Sequence, residues 1–473
     1  MAQSQTVAVA GGGLAGLAAA CALSDAGFRV TLFEKRPFLG GRASSWQHPG
    51  TGEVVDNCQH VLFRVCTNLV EFYQRIGVAD QIRWYDEMTF IEPGGRTSVM
   101  KSSPLPAPLH TALSFLGFSF LSAADKFAVA RALVSLTLRE QRDTGQSFQH
   151  WLDQHGQTKN AVARFWRPIL VSALSEEPDL ISISAAAQVV RESMKSPAAR
   201  HMGVPTVPLT DLYNKAGDYI RTRGGTLHFR QPVETFAADS ASVRVNLREQ
   251  KENRDSDSAT EFDYLVIALP FDALDRILPD APQSASLREQ LSHFENSPIT
   301  GVHLWFDRQI SDLDHAVLLD RTIQWMFHKS RLQPIRRSDG ALAGSYVELV
   351  VSSSKTLIAK SLPEIVDIAL AEVREFFPAA RAANVVKSTV IKEVNATYSP
   401  RPGIDAHRPA SATAWPRVFL AGDWTATGWP ATMEGAVRSG YLAAEALARA
   451  AGMKDQRFLS PDLRATGFMR LFT

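Results

Sequence analysis

The sequence predicts an α/β fold built around a parallel sheet. Three observations support this prediction. Residues 7–10 form a short apolar strand, residues 11–16 a glycine-rich turn and residues 14–26 a helix of small side chains. A second apolar strand, residues 28–33, follows at once, and a strand–helix–strand opening implies parallel pairing. A further apolar strand, residues 418–421, lies near the other end of the chain.

Composition limits the classes of function. The chain has 473 residues and a hydrophobic fraction of 45%, which is enough for two connected domains. Fifty basic residues balance 49 acidic ones, for a formal net charge of +1. A field that weak, without a run of lysine and arginine, argues against a nucleic-acid partner. The three cysteines have no zinc-ligand spacing, so we expect a reducing, cytoplasmic location and no metal site.

The glycine turn has a spacing that is typical of dinucleotide binding. Its first glycine permits the tight turn, its second lets the backbone approach a pyrophosphate, and its third lets helix and strand pack closely. The first helical turn then points its N–H groups at the phosphates. An acidic residue closes the second strand, where its carboxylate can accept hydrogen bonds from ribose hydroxyls. The predicted cofactor-binding residues of this segment are Gly11, Gly13, Leu14, Ala15, Gly16, Glu34 and Lys35.

A glycine pair and an arginine follow the second strand. Gly40 and Gly41 bring the backbone close to the cofactor, and Arg42 offers a fork of donors for a phosphate. The alternative is a surface turn with a solvated arginine. The run resembles the extension found in the FAD-binding amine oxidase and phytoene desaturase superfamily. That resemblance implies a Rossmann-like FAD-binding domain of the glutathione-reductase type with an interleaved α+β substrate domain.

A second cofactor motif lies near the C-terminus. The strand at residues 418–421 runs into Gly422 and Asp423, and a helix begins near Met433. The N-terminus of such a helix can stabilise the anionic N1–C2=O edge of a reduced flavin. In the same superfamily this aspartate contacts the ribityl-phosphate region, a role that the resemblance gives to Asp423. The implied FAD site is completed by Ala431, Thr432, Met433 and Val233.

The resemblance also implies a discontinuous domain organisation. The FAD-binding domain is expected to comprise residues 1–84, 216–280 and 396–473, and the substrate domain residues 85–215 and 281–395. Two helices are predicted, one at residues 357–377 and an amphipathic one at residues 123–139. The apolar positions of the second are Phe127, Ala130, Leu133, Val134 and Leu138. The polar residues 248–261 are predicted to be a solvated hairpin loop.

Several motifs are more specific. The run 56–60, the stretch 165–176 and the loop 428–435 resemble the hydroxysqualene dehydroxylases, FAD enzymes of bacterial squalene and hopanoid synthesis. Cys58 stands where that family more often has glycine, and Ser175 where asparagine is expected. The resemblance implies that an allylic hydroxyl is removed reductively from hydroxysqualene, a hydrophobic C30 isoprenoid. No second dinucleotide fingerprint is present, so NAD(P)H or another reductant would bind transiently.

Three protic residues are candidates for the acid that such a reaction needs. They are His60, Asp56 and Glu434. A histidine near neutral pKa, or a buried carboxyl with a raised pKa, suits a proton donor. We expect His60 to donate and Asp56 to orient it. The alternative is that the two form a structural hydrogen-bonded pair.

Other functions remain open. A desaturase that oxidises a C30 or C40 polyene would have the same fold, and a flavin-binding partner protein without turnover would have the same cofactor motifs. Residues 109–121 are apolar but too short to cross a bilayer. They form either a helix of the substrate domain or a surface that contacts the inner leaflet of the membrane. The tail contains Phe468, Met469, Leu471 and Phe472, and the sequence leaves open whether they pack or contact lipid.

Overall fold

The computed structural model describes residues 4–139, 141–248, 259–333 and 344–472. Its first layer is a sheet of five parallel strands. The three central strands are short, apolar and almost wholly buried, as expected when both faces of a parallel sheet are covered. From edge to edge, the strands are Thr226–Phe229, Arg29–Glu34, Thr6–Ala10, Tyr264–Ile267 and Val418–Leu420. The predicted α/β class is confirmed, and strands from both ends of the chain share one sheet.

Small-residue helices cover one face of this sheet. The Leu14–Asp25 helix is buried along almost its whole length because the last helix, Met433–Ala450, packs closely on it. A Cβ added to Gly440 would lie only 2.3 Å from Ala15 O, so this approach requires glycine. The same core includes side chains of the helices Thr67–Arg75 and Leu209–Thr222. The other face packs on an antiparallel sheet of strands Val233–Ala238, Val243–Leu247 and Ala259–Phe262.

A mixed sheet of seven strands forms the substrate domain. Its strand order is Val385–Tyr398, Asn296–Phe306, Tyr346–Ser352, Trp325–His328, His315–Leu318, Glu87–Ile91 and Thr97–Lys101. One face packs on the Leu362–Phe376 helix. The other faces an aromatic cluster, to which the helices Ala123–Leu138, Phe148–Gln154, Arg167–Leu174 and Ile183–Met194 contribute buried apolar side chains.

Short elements connect these layers. Two small sheets pair Ser45–Gln47 with Val54–Asp56, and Met202–Pro205 with Leu62–Phe63 and Ile82–Tyr85. The remaining helices are Ala112–Gly117, Lys159–Ala161, Phe271–Ile277, Pro282–Ser292, Lys329–Leu332 and Lys355–Ile358. Single turns of tighter or wider helix span Ala79–Gln81, Leu109–Thr111, Val162–Trp166, Pro197–Arg200, Pro378–Ala382, Ile404–His407 and Gly467–Leu471.

Three of the expected domain boundaries fall inside regular elements. The one between residues 84 and 85 cuts the Ile82–Tyr85 strand. The one between residues 215 and 216 cuts the Leu209–Thr222 helix, whose Leu212 and Tyr213 belong to the core around the Leu14–Asp25 helix. The one before residue 396 cuts the Val385–Tyr398 strand.

Two local predictions need correction. The apolar face predicted for residues 123–139 is turned outward: Phe127, Ala130 and Val134 are exposed, while a face of smaller residues packs on the Ile183–Met194 helix. The helix predicted at residues 357–377 is interrupted, because Ser361 begins a new helix by forming a capping box with Glu364. The side chain of Leu138 and most of the predicted loop 248–261 lie outside the described residues.

Candidate active site

The predicted cofactor residues lie at one edge of the parallel sheet. Gly11 follows the first strand, Glu34 ends the second, and Gly422 and Asp423 follow the last. Since all five strands are parallel, their carboxyl ends meet at this edge, the usual ligand-binding edge of such a sheet. Val233 reaches the same edge, because Gln231 N donates to Glu34 O at 3.1 Å just before Val233 begins its strand.

The glycine turn has the geometry predicted for it. Gly11 has φ +110°, and a Cβ there would lie 2.5 Å from Ala268 O. A Cβ on Gly16 would lie 1.9 Å from Gly11 O, so both positions require glycine for packing within the protein. At Gly13, by contrast, an added Cβ would meet only Gly41 Cα, at 3.9 Å. Protein packing does not require this glycine, which fits a turn that leaves room for a pyrophosphate.

The first helix is left open at its N-terminus. Among the described residues no side chain caps the Leu14–Asp25 helix, and its first turn carries no acidic residue. Its free N–H groups and positive dipole end therefore suit an anionic phosphate beside Leu14 and Ala15. Glu34 is buried and accepts hydrogen bonds from Gly12 N at 2.7 Å and Arg36 N at 2.8 Å. These bonds fix the carboxylate next to the turn, while Lys35 is exposed beside it.

The open space beside Gly13 supports a prediction. Gly13→Val should give a folded protein that purifies without bound flavin, because the added side chain fills space that the pyrophosphate needs. The measurement is the ratio of flavin to protein absorbance. Gly117→Val is the control, since an added Cβ at Gly117 meets no protein atom within 4 Å and Gly117 lies outside the cofactor motifs. Full flavin occupancy in the Gly13 variant would contradict the assigned role.

Arg42 joins the two distant cofactor motifs. Arg42 Nη2 lies 2.8 Å from Asp423 Oδ1, and Nη1 donates to Ala396 O at 2.9 Å. The ion pair spans 381 positions of the chain and places the N-terminal and C-terminal motifs side by side. The guanidinium of Arg42 was expected to bind a phosphate, but in the structure one of its nitrogens donates to Asp423 instead. Gly41, which precedes it, has φ +60° and lies against Gly13.

The C-terminal helix begins where the sequence predicts. Thr432 caps Met433–Ala450 by accepting a hydrogen bond from Gly435 N at 3.1 Å. Gly422 N donates to Ser439 Oγ at 2.8 Å, which ties the end of the last strand to the same helix. The residues predicted to face the flavin, Ala431 to Met433, thus lie at the start of a helix held against the cofactor edge of the sheet.

Glu434 has a structural position. Its Oε1 accepts from Asn68 N, Asn68 Nδ2 and Arg438 Nε, and its Oε2 accepts from Leu69 N at 2.8 Å. It thereby caps the Thr67–Arg75 helix, whose own N-cap residue, Cys66, provides no side-chain bond. Because both oxygens are held by these donors, the Glu434 carboxylate does not suit the acid role that was predicted for it.

A buried ionic cluster lies beside the run 56–60. The ammonium of Lys329 lies 2.5 Å from Asp56 Oδ2, 2.8 Å from Gln59 Oε1 and 3.6 Å from Glu348 Oε2. The side chains of Lys329, Asp56 and Glu348 are almost completely buried. Burial lowers the pKa of Lys329, but the nearby carboxyls of Asp56 and Glu348 outweigh it, so the ammonium stays charged.

The predicted pairing of Asp56 with His60 is wrong. Asp56 instead accepts from Lys329, Ser45 Oγ and Leu209 N. Burial alone would raise the pKa of Asp56, but the Lys329 ammonium and these hydrogen bonds lower it. His60 Nδ1 lies 2.7 Å from Cys58 O. A carbonyl only accepts, so Nδ1 carries the proton and Nε2 has the free lone pair. Burial lowers the pKa of His60, which favours the neutral ring.

Glu348 is the other carboxyl of this cluster. Among the described residues, neither of its oxygens has a partner at hydrogen-bond distance, and the Lys329 ammonium lies 3.6 Å away. Burial raises the pKa of Glu348 to about 8, and the positive charge of Lys329 is already balanced by Asp56 at shorter range. His303 lies directly opposite Glu348 on the neighbouring strand, and its Nε2 is likewise unpartnered. Burial lowers the pKa of His303 to about 3, so this side chain is also neutral.

The surroundings of Glu348 are apolar and aromatic. Val350, two residues along the strand and therefore on the same face, packs with Cys58, Trp325 and Phe327 in the aromatic cluster of the substrate domain. Lys329 and Glu348 were not among the site residues predicted from the sequence. A signal was nonetheless present, because Glu348 is the one acidic residue in the otherwise apolar run Tyr346–Ser352.

A possible metal-binding group lies elsewhere in the described residues. Ligand atoms of Glu289, His293 and His407 lie within 4.8 Å of one another. The two imidazoles are stacked, with centroids 3.5 Å apart, so their nitrogen lone pairs run side by side and do not converge.

Comparisons with known proteins identify the family to which this chain is similar. Residues 14–448 match the family described as flavin containing amine oxidoreductase. A 15-cis-phytoene desaturase of Synechococcus elongatus is 27% identical over 93% of this chain and 95% of its own length. A probable zeta-carotene desaturase of the same organism is 29% identical over 94% of this chain and 98% of its own length.

Solved structures show the same fold. An oxidoreductase from Methanosarcina mazei superposes with a TM-score of 0.69 at 17% identity, covering 92% of this chain and 98% of its own. Putrescine oxidase, bound to putrescine, also has a TM-score of 0.69 at 16% identity, covering 96% and 100%. Together with the cofactor edge described above, the family match shows that the chain is an FAD-binding member of the flavin-containing amine oxidoreductase family.

Proposed function

We propose that this chain is a reductive dehydroxylase that converts hydroxysqualene to squalene in squalene and hopanoid synthesis. The observation that carries the proposal is Glu348, a buried carboxyl beside an aromatic, apolar cluster, with no hydrogen-bond partner in the part of the chain that the structure describes. With a pKa of about 8 it is protonated at neutral pH, as an acid that activates a hydroxyl must be. The motifs in residues 56–60, 165–176 and 428–435 support the same reaction.

In the proposed reaction, one group of residues binds the cofactor and Glu348 supplies the proton. The glycine turn, Glu34, Arg42 and Asp423 would hold FAD, which when reduced supplies a hydride. Glu348 gives a proton to the allylic hydroxyl as the C–O bond breaks, so that water leaves and an allylic cation remains. The hydride completes the reaction, so the alcohol, one proton and one hydride become the hydrocarbon and water. The surrounding aromatic side chains exclude water from the cation and can stabilise its charge.

His60 has a separate role in this proposal. Its free Nε2 suits it to accept a hydrogen bond from the substrate hydroxyl and so to position it, with Cys58 O holding the ring. His60→Ala should lower turnover about tenfold or more while FAD stays bound. Steady-state rates and flavin content measured on the same preparation test this. Unchanged turnover would remove His60 from the mechanism.

A polyene desaturase is the second candidate. The two Synechococcus elongatus relatives named as desaturases favour it. In that reaction oxidised FAD would accept hydride from a C30 or C40 polyene, and the protein would have to accept a proton. A protonated Glu348 is unsuited to that task near neutral pH, which is why we rank this function second.

One experiment separates the two reactions. The purified holoprotein is reduced anaerobically with dithionite and incubated with hydroxysqualene, and in parallel the oxidised holoprotein is incubated with phytoene. The proposal expects squalene, identified by its mass, and re-oxidised flavin in the first reaction only. A polyene with an added double bond in the second reaction alone would establish the desaturase. A flavin spectrum that responds to neither substrate would favour a flavin-binding partner protein.

The reductant is part of the proposal. Because the sequence has no second dinucleotide fingerprint, we propose that NAD(P)H or a partner protein reduces the flavin transiently. Anaerobic bleaching of the flavin by NADPH would support the first source.

A further inference from the structure

Two segments that are far apart in sequence form one exposed apolar surface. Phe468 N donates to Ala107 O at 2.8 Å, and Gly467 contacts Ala107 so closely that an added Cβ would lie 2.7 Å from its backbone. The C-terminal tail is thereby fixed on the segment that contains residues 109–121. We define the docking surface by six side chains that this arrangement leaves exposed: Leu109, Leu113, Leu116, Phe127, Leu471 and Phe472.

The exposure of this surface is unusual for a soluble protein. Leu116 is 62% exposed, Phe127 72% and Leu471 77%. The Ala112–Gly117 and Ala123–Leu138 helices are held together because Lys126 Nζ donates to Leu116 O at 2.7 Å. The exposed apolar side chains of the second helix therefore extend the exposed apolar surface of the first. Clustered large apolar side chains mark a contact surface, whereas single ones do not.

The charges around the surface favour anionic lipid. Asp125 is the one acidic residue between positions 102 and 126, and it is buried, where it closes the capping box of Ser122. Arg131 on the helix and Arg470 on the tail are exposed. Lys195, Arg464 and Arg470 line a groove of about 870 Å³ beside the tail, large enough for a phosphate-bearing headgroup. Its one carboxylate, Asp462, is paired with Arg438. Apolar side chains bordered by arginine are typical of peripheral contact with a negatively charged leaflet.

We propose that this surface docks the protein on an anionic lipid bilayer, with the leucines and phenylalanines in one leaflet and the arginines at its headgroups. None of the helices in the described ranges has the length and apolar character that a bilayer crossing requires. The contact is therefore with one leaflet. This proposal rests on the proposed function only for the purpose of docking, which is to take the C30 isoprenoid alcohol from the membrane.

Vesicle flotation of the holoprotein tests the proposal. We expect binding to phosphatidylglycerol-containing vesicles at least about tenfold tighter than to phosphatidylcholine vesicles, and weakened by salt. Leu113→Asp/Leu116→Asp and Leu471→Asp/Phe472→Asp should each reduce binding about tenfold or more, because charge and lost apolar area both oppose insertion. The matched control is Val386→Asp/Val394→Asp, which changes two exposed valines of the substrate sheet and should bind as wild type.

The outcomes separate docking from catalysis. Equal binding to both vesicle types, or equal binding of the docking-surface variants and wild type, would overturn the proposal. A concentration-dependent dimer that the same variants dissociate would show that a second copy covers the surface, and would also overturn it. Turnover of detergent-dispersed substrate should be unchanged in the variants, so a failure of the proposed reaction would not be mistaken for a failure to dock.

Discussion

Replacing Glu348 by glutamine should lower the rate of dehydroxylation at least about 100-fold while flavin content stays at the wild-type level. Glutamine has nearly the same size and shape but has no acidic proton to give. The hydroxyl would then have to leave as hydroxide into an apolar site, where a new charge is poorly stabilised. Steady-state rates on purified holoprotein, corrected for bound flavin, provide the measurement.

The pH dependence of this rate has a definite sign. An acid works only while it is protonated, and the pKa of Glu348 is raised by burial to about 8. The rate should therefore be level below pH 8 and fall about tenfold per pH unit above it. A desaturase that used Glu348 as a base would show the opposite slope. The residual rate of Glu348→Gln should have lost this dependence.

A second buried carboxyl provides the control. Glu372 lies on the Leu362–Phe376 helix, on the other side of the substrate sheet, and accepts hydrogen bonds from Thr322 N and Ile323 N. Glu372→Gln keeps an acceptor there and should leave the rate and its pH profile unchanged. Equal rates in Glu348→Gln and Glu372→Gln would exclude Glu348 as the acid.

The cofactor half of the site was predictable because its requirements are local. A glycine at the end of the first strand, a helix of small residues that begins at the turn and an acidic residue at the end of the next strand all lie within about 30 residues. The C-terminal motif was found for the same reason. Only the ion pair of Arg42 with Asp423, which joins the two motifs, depends on the tertiary fold.

The acid half of the site was not predictable from the same reasoning. Asp56 and Lys329 are 273 positions apart, and a lysine among polar residues usually indicates solvent. Sequence proximity favoured His60 as the partner of Asp56, but the strands bring the lysine there instead. The prediction for residues 123–139 was wrong for a different reason. Periodicity identified a stripe of apolar residues but could not tell whether that stripe packs on the protein or is exposed.

Replacing Lys329 by methionine should lower the free energy of unfolding by about 3–5 kcal/mol. The change keeps the length and apolar stem of the side chain but leaves the Asp56 carboxylate buried without its cation. Since the pKa of Asp56 is held below its ordinary value in the folded protein, the lost stabilisation is that present at neutral pH; it disappears as pH falls through that lowered pKa. Urea unfolding followed by flavin fluorescence, at pH 7, measures the difference.

The double variant Asp56→Asn/Lys329→Met identifies the cause. If the cost comes from an uncompensated charge, removing that charge should recover much of it, and the double variant should be more stable than Lys329→Met alone. Lys355→Met is the matched control, because Lys355 is partly exposed and its partner Glu176 keeps hydrogen bonds from Ser353 Oγ, Ser399 Oγ and Glu177 N. A double variant less stable than either single one would mean that Lys329 stabilises the fold mainly by packing and not by its charge.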